Sequence, residues 1–129
     1  MDTANENQKT PLILHGHFYQ PPRENPRTGI INKQLSANPW GDWNELINAD
    51  CYRANCHSRY LDAYGSIISL SNNYEALSFN FGPTLLTWLQ ANDPESYEMI
   101  IEADRSSMRR LGHGNAIAQV YSHAILPLA

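Results

Sequence analysis

The strongest constraint on the fold is an alternation of short apolar runs with longer helical patterns. Leu12–His15 is a short apolar run and reads as a buried strand. A helical stripe of Trp43, Leu46, Ile47, Cys51, Ala54, Leu61 and Tyr64 starts near Asp42 or Asn44, either of which suits an N-cap, and breaks at Gly65. Ile67, Ile68 and Leu70 form a short apolar stretch before a turn at "SNNYE". Ala76–Phe81 alternates in the manner of a second strand and stops at Gly82-Pro83. Pro83 suits the first turn of a helix carried by "TLLTWLQAN". Asp93-Pro94 opens another, with Asp93 as N-cap, acids early, arginines late and glycines 112 and 114 at its end. "NAIAQVY", residues 115–121, is the expected third strand. Strand, helix, strand, helix, strand predicts an α/β fold with parallel strands joined by crossovers.

In such folds the chemistry gathers at the carboxyl ends of the strands. His17, Asn80 and His123 each fall at or just past an expected strand end, so all three are predicted to face one mouth. His15 and His17 are two apart and share a strand face. Such a pair can ligate a zinc-like ion or hydrogen-bond a substrate. The plainer reading, and the commoner one for a lone histidine pair, is that His15 is buried and satisfied while His17 only caps the strand. The segment from Phe18 to Asp42 carries four prolines and two glycines without periodicity, and so reads as a long loop of the kind usually kept for function. Phe18, Tyr19, Trp40 and Trp43 lie in or beside it. Aromatic faces pack on the C–H faces of sugars, and amides and histidines bond hydroxyls, so the mouth suits a carbohydrate better than a phosphate. The same rings can instead serve to pin the loop.

Composition removes several classes. Hydrophobic residues make up 42% and charged residues 17%, which is a globular balance. The net charge of −4, with arginines scattered among acids, is not the footprint of a nucleic-acid binder. No apolar run approaches a membrane span, and residues 1–10 are polar, without a secretory h-region, and read as a loose tail. Cys51 and Cys56 point apart on a helix and are expected to be reduced thiols of a cytoplasmic protein. "GHGNAIAQ" lacks the Lys-Ser/Thr of a phosphate loop, and no serine sits in a nucleophile elbow. Glu95, Glu98, Glu102 and Asp104 fall at helical spacing on solvent faces, and no carboxylate falls at an expected strand end.

Three motifs in order, "LHGHFYQPPRENP", "SFNFGPTLLTWL" and "GHGNAIAQVYSHAILPLA", resemble the start of glycoside hydrolase family 57 proteins, in the branch with an "HGHFYQPPRE" opening. The resemblance covers nearly all of residues 11–129. It implies a barrel of seven β/α units, of which this chain would supply an incomplete N-terminal portion of about three strands. It also implies hydrolysis or transfer of α-glucosidic bonds with retention, by a nucleophile and an acid/base carboxyl. Both carboxyls would lie beyond Ala129, so no catalytic residue is expected here. The chain is expected to be the first part of a longer protein, with the rest of the barrel and an α-glucan or oligosaccharide as its partners. Neither nucleic acid nor membrane is expected as a partner. No cofactor or metal belongs to this leading assignment.

By the resemblance, His17 lies in a sugar subsite with His15 as its supporter, and Gln20 belongs to the same first region. The family's second region usually ends in a glutamate on strand three. Here the candidates are Asn115 and Gln119, amides that bond hydroxyls but cannot act as a base. His123 matches a family position near the site. Together with Trp40 and Asn80 these are the candidate substrate-binding residues. Two other readings stand beside this one: a non-catalytic glucan-binding module, and a metal-dependent hydrolase built on His15-x-His17.

Overall fold

A computed structural model of the chain describes residues 11–128. It is mixed α/β, with a small parallel sheet, a separate hairpin and a layer of helices. Strand β1 (His15–Phe18) pairs in parallel with β4 (Ser78–Phe81), in a register that sets His15 against Ser78 and His17 against Asn80. Between them lie α1 (Trp43–Ile47), α2 (Arg53–Cys56) and an antiparallel hairpin of β2 (Ser58–Leu61) and β3 (Ile67–Ser71). Helices α3 (Pro83–Asn92) and α4 (Pro94–Leu111) follow. No helix among the described residues is long and apolar enough to cross a membrane.

The helices after β4 obey their local signals. Pro83 and Pro94 occupy first turns, where a missing N–H costs nothing. Asp93 closes α3 through its N–H to Leu89 O (2.8 Å) and caps α4 by accepting from Ser96 N. Gly112 ends α4 at a φ of +79°, a left-handed turn that glycine adopts without a Cβ clash. Leu85, Trp88 and Leu89 of α3 and Ile100 and Ala103 of α4 bury against Phe79 and Phe81. Around them Phe18, Tyr52 and Tyr74 complete an aromatic core, with Phe18 stacked on Phe81 at 4.7 Å. Burial pushes the Tyr74 hydroxyl far above its usual range, and it donates to Tyr52 O.

Five expectations need correction. The first strand is His15–Phe18, not Leu12–His15; Leu12 and Ile13 are over four-fifths exposed, because β4 offers hydrogen-bonding partners only from Ser78 onward. The second strand is trimmed to Ser78–Phe81, since Asn73–Glu75 forms a 3-10 turn whose last bonds hold Ala76 and Leu77 N–H groups. The long helix expected to Tyr64 ends at Cys56. It changes to a π-helical turn over Asn48–Tyr52, and Cys56 is its last buried residue. Beyond it Asp62 Oδ1 accepts from Tyr64 N and Ser66 N, Asp62 N bonds Ser66 O, and Gly65 takes a φ of +83°. An Asx turn with a glycine in the left-handed region closes a hairpin, and it wins because Tyr60, Leu61 and Tyr64 have no core to face as a helix.

The third strand, expected over 115–121, is reduced to one parallel bridge. Ala116 lies beside Phe79, with Phe79 N bonding Asn115 O (3.0 Å) and Ile117 N bonding Phe79 O (2.7 Å). Two groups turn the chain away from a longer ladder: Asp104 Oδ1 takes Ala116 N at 2.8 Å, and the Gln119 side chain, not its backbone, bonds Phe81 O. Asp104 therefore does not sit on a purely solvent face. The expected tail, residues 1–10, lies outside the described residues.

Candidate functional site

Strand alternation builds the site. In β1 Phe18 points into the aromatic core, so His15 and His17 point to the opposite face. Gly16 between them leaves room that Phe18 takes: a Cβ there would meet the Phe18 ring at 2.5 Å. Tyr19, just past the strand, shares the histidines' face. The edge of its ring lies against Gly82, where a Cβ would meet Tyr19 Cδ2 at 2.6 Å.

Each histidine is fixed by the β4 residue across from it. Ser78 donates its hydroxyl to Leu14 O, so the 2.9 Å contact between His15 Nδ1 and Ser78 Oγ has His15 as donor. Asn80 Oδ1 can only accept, so His17 Nδ1–H donates to it, at 2.5 Å. In the neutral imidazoles both Nδ1 atoms thus carry the proton, and both Nε2 atoms present bare lone pairs. His15 is exposed rather than a buried core histidine.

His123 arrives from far along the chain. Its Nε2 lies 2.8 Å from His17 Nε2, with the two rings 25° from coplanar. Since His17 Nε2 is bare, His123 Nε2–H is the donor. The other side of His123 stacks on Tyr19, with centroids 3.9 Å apart and planes 15° apart. His123 adopts a φ of +55°, a conformation uncommon for a residue with a Cβ. The bond to His17 and the stack on Tyr19 hold it there. His17, Gln119, Val120, His123, Ala124 and Ile125 line a cleft of about 210 Å3.

The expected mouth is therefore partly assembled. His17, Asn80, His123 and Gln119 come together at the carboxyl end of the parallel pair. His15 lies one pleat below, bonded among the described residues to Ser78. Gln20 is buried and turned inward: its amide donates to the Tyr52 hydroxyl and accepts from Arg23, which also bonds the buried Asn44. It pins the loop. Asn115 lies at the other end of β4, donating to Glu75 O at 2.9 Å. Trp40 lines a different cleft with Asn48, Arg53, Trp88 and Asp93. Phe18 serves the core, and Trp43 bonds Ser36, so these aromatics act as loop and core anchors.

Tyr19 is the member missing from the candidate substrate-binding residues, although it stood among the aromatics of the loop. The signal was present, since Tyr19 continues the alternation of His15 and His17. What concealed it was the end of the strand at Phe18 and the double proline that follows. Comparison of the chain with protein-family models, with curated proteins and with solved structures finds no match.

Proposed function

We propose that the mouth formed by His17, Tyr19, Asn80, Gln119 and His123 is a sugar-holding subsite for an α-glucan, in a protein of the family 57 glycoside hydrolase type. One observation carries the reading: an aromatic–imidazole stack lies beside hydrogen-bonding groups whose directions are fixed from the neighbouring strand. A stacked ring offers a flat apolar face to the C–H face of a sugar, and fixed imidazole and amide groups bond its hydroxyls. The order of motifs along the chain supports the family.

In this reading the chain forms part of a larger β/α barrel. The parallel β1–β4 pair would be its start, and exposed apolar side chains such as Leu12, Leu14, Ile117 and Ile125 would meet further chain. The nucleophile and the acid/base carboxyl of a retaining reaction would come from that further chain, while the residues here hold and orient the sugar. The unpaired thiols Cys51 and Cys56 favour a cytoplasmic setting.

Affinity electrophoresis of the chain through gels containing soluble starch tests the reading. Retardation is expected for the wild type and for Glu98→Ala, an exposed change on α4. His17→Ala and Tyr19→Ala are expected to abolish most of it. Equal retardation of all four proteins would refute the assignment.

A further inference from the structure

The exposed histidine pair has a property that sugar binding does not require. The donors and acceptors around His17 leave one tautomer: Nδ1–H is held by Asn80, and Nε2 is bare. A ligating imidazole is prepared in this way, with its far N–H held by an acceptor that fixes the ring and raises the basicity of the free nitrogen. Opposite this lone pair, at 2.8 Å, stands the Nε2 of a second imidazole. Two bonds of about 2.0–2.1 Å meeting at a tetrahedral angle place their nitrogens roughly 3.3 Å apart. The pair thus needs to open by about half an ångström. His123 belongs to a stretch without helix or strand, and its Nδ1, which bonds nothing among the described residues, can take the proton that Nε2 gives up.

We propose that Nε2 of His17 and Nε2 of His123 together bind a first-row transition ion of the zinc, nickel or copper class. Imidazole nitrogens suit these ions and not magnesium or calcium. Among the described residues no group of three or more His, Cys, Asp and Glu side chains converges on one point. Two protein ligands hold the ion, and water or a small-molecule ligand in the adjoining cleft completes its shell. Such a site is open and of modest affinity, in contrast to the closed four-ligand sites that stabilise folds. His15 is excluded from the coordination in spite of its matching tautomer, because among the described residues its ring bonds Ser78, one pleat away from the pair. This inference does not depend on the glucan reading.

The test is zinc titration of the full chain by calorimetry at roughly pH 7.5, where free imidazole is neutral, without any sugar present. A single equivalent is expected to bind. His17→Gln and His123→Gln are each expected to weaken it by about tenfold or more. Asn80→Ala, which releases the His17 ring, is expected to weaken it by a factor in the range of about 10–100. His15→Gln, His57→Gln and His113→Gln are expected to leave it unchanged. Nitrogen-15 imidazole spectra of the unaltered chain give the second readout: zinc should move the Nε2 resonances of His17 and His123 together. Absence of uptake would overturn the proposal. So would uptake indifferent to both substitutions, or resonance shifts confined to other histidines.

Discussion

Asp93→Ala is the perturbation whose consequence follows most directly from the structure. This carboxylate is buried and joins three parts of the chain. Asp93 Oδ1 accepts from Ser96 N (3.2 Å) and from Arg53 Nη1 (2.8 Å); Oδ2 accepts from Ser96 Oγ and Asn48 Nδ2 (2.8 Å each). Losing the N-cap costs about 1 kcal/mol. The Ser96 hydroxyl and the Asn48 amide are buried, and each donor stranded there costs about 1 kcal/mol more. Asn48 Oδ1 already lacks a partner, so its side chain would keep no bond. Arg53 is half exposed and retains Glu95 at 2.6 Å, which keeps its share under about 1 kcal/mol. The expected loss is about 3 kcal/mol, equivalent to roughly 10 °C in Tm for a chain of this length.

Urea unfolding followed by far-UV circular dichroism measures this loss, and pH adds a second constraint. Burial alone would raise the Asp93 pKa, but the bonds from Asn48, Ser96 and Arg53 outweigh it and hold the carboxyl below its ordinary 3.8. A depressed carboxylate pKa contributes stability that is complete above the unfolded value and drains away as pH falls through the folded one. The gap between wild type and Asp93→Ala should therefore be constant near neutrality and narrow below about pH 4. A loss under about 1 kcal/mol, or a gap that widens on acidification, would refute the reasoning.

Two further outcomes follow from the same contacts. Gly82→Ala should displace the Tyr19 ring, because the added Cβ would stand 2.6 Å from Cδ2, and should thereby unstack His123; the ring-current shifts of the His123 protons in the NMR spectrum report it, and unchanged shifts would contradict the packing. Cys56 should resist a thiol reagent such as DTNB until the chain unfolds, since it is buried and burial pushes its thiol up to about 11, whereas half-buried Cys51 should react slowly in the folded state; equal rates would contradict the burial of α2.

Elements legible from the residues alone are those whose signals are local. Both α3 and α4 start and stop where Pro83, Asp93-Pro94 and Gly112 direct, because a cap or a left-handed glycine acts within one turn of the residue that supplies it. The shared face of His15 and His17 also follows from strand period alone. The hairpin at 58–71 carried a local signal too, in Asp62 and Gly65, but the apolar spacing around it mimicked a helix.

Distance in the chain marks what only the tertiary structure decided. Parallel pairing has no turn to announce it, so the register that sets Ser78 and Asn80 against the two histidines is invisible until β1 and β4 meet across sixty-three residues. That register, and not the histidines themselves, fixes which imidazole nitrogens are bare. The return of His123 to His17 spans 106 positions and depends on Ala116 being taken by Asp104 and on Gln119 reaching Phe81. Residues 12–14 and 115–121 have strand-like composition, yet most of their backbone finds no ladder partner among the described residues. The amino-acid order determined where helices begin and end and which side chains could share a face. Long-range hydrogen bonding then decided which of those side chains meet, because a strand gains its bonds from a neighbour it does not itself encode.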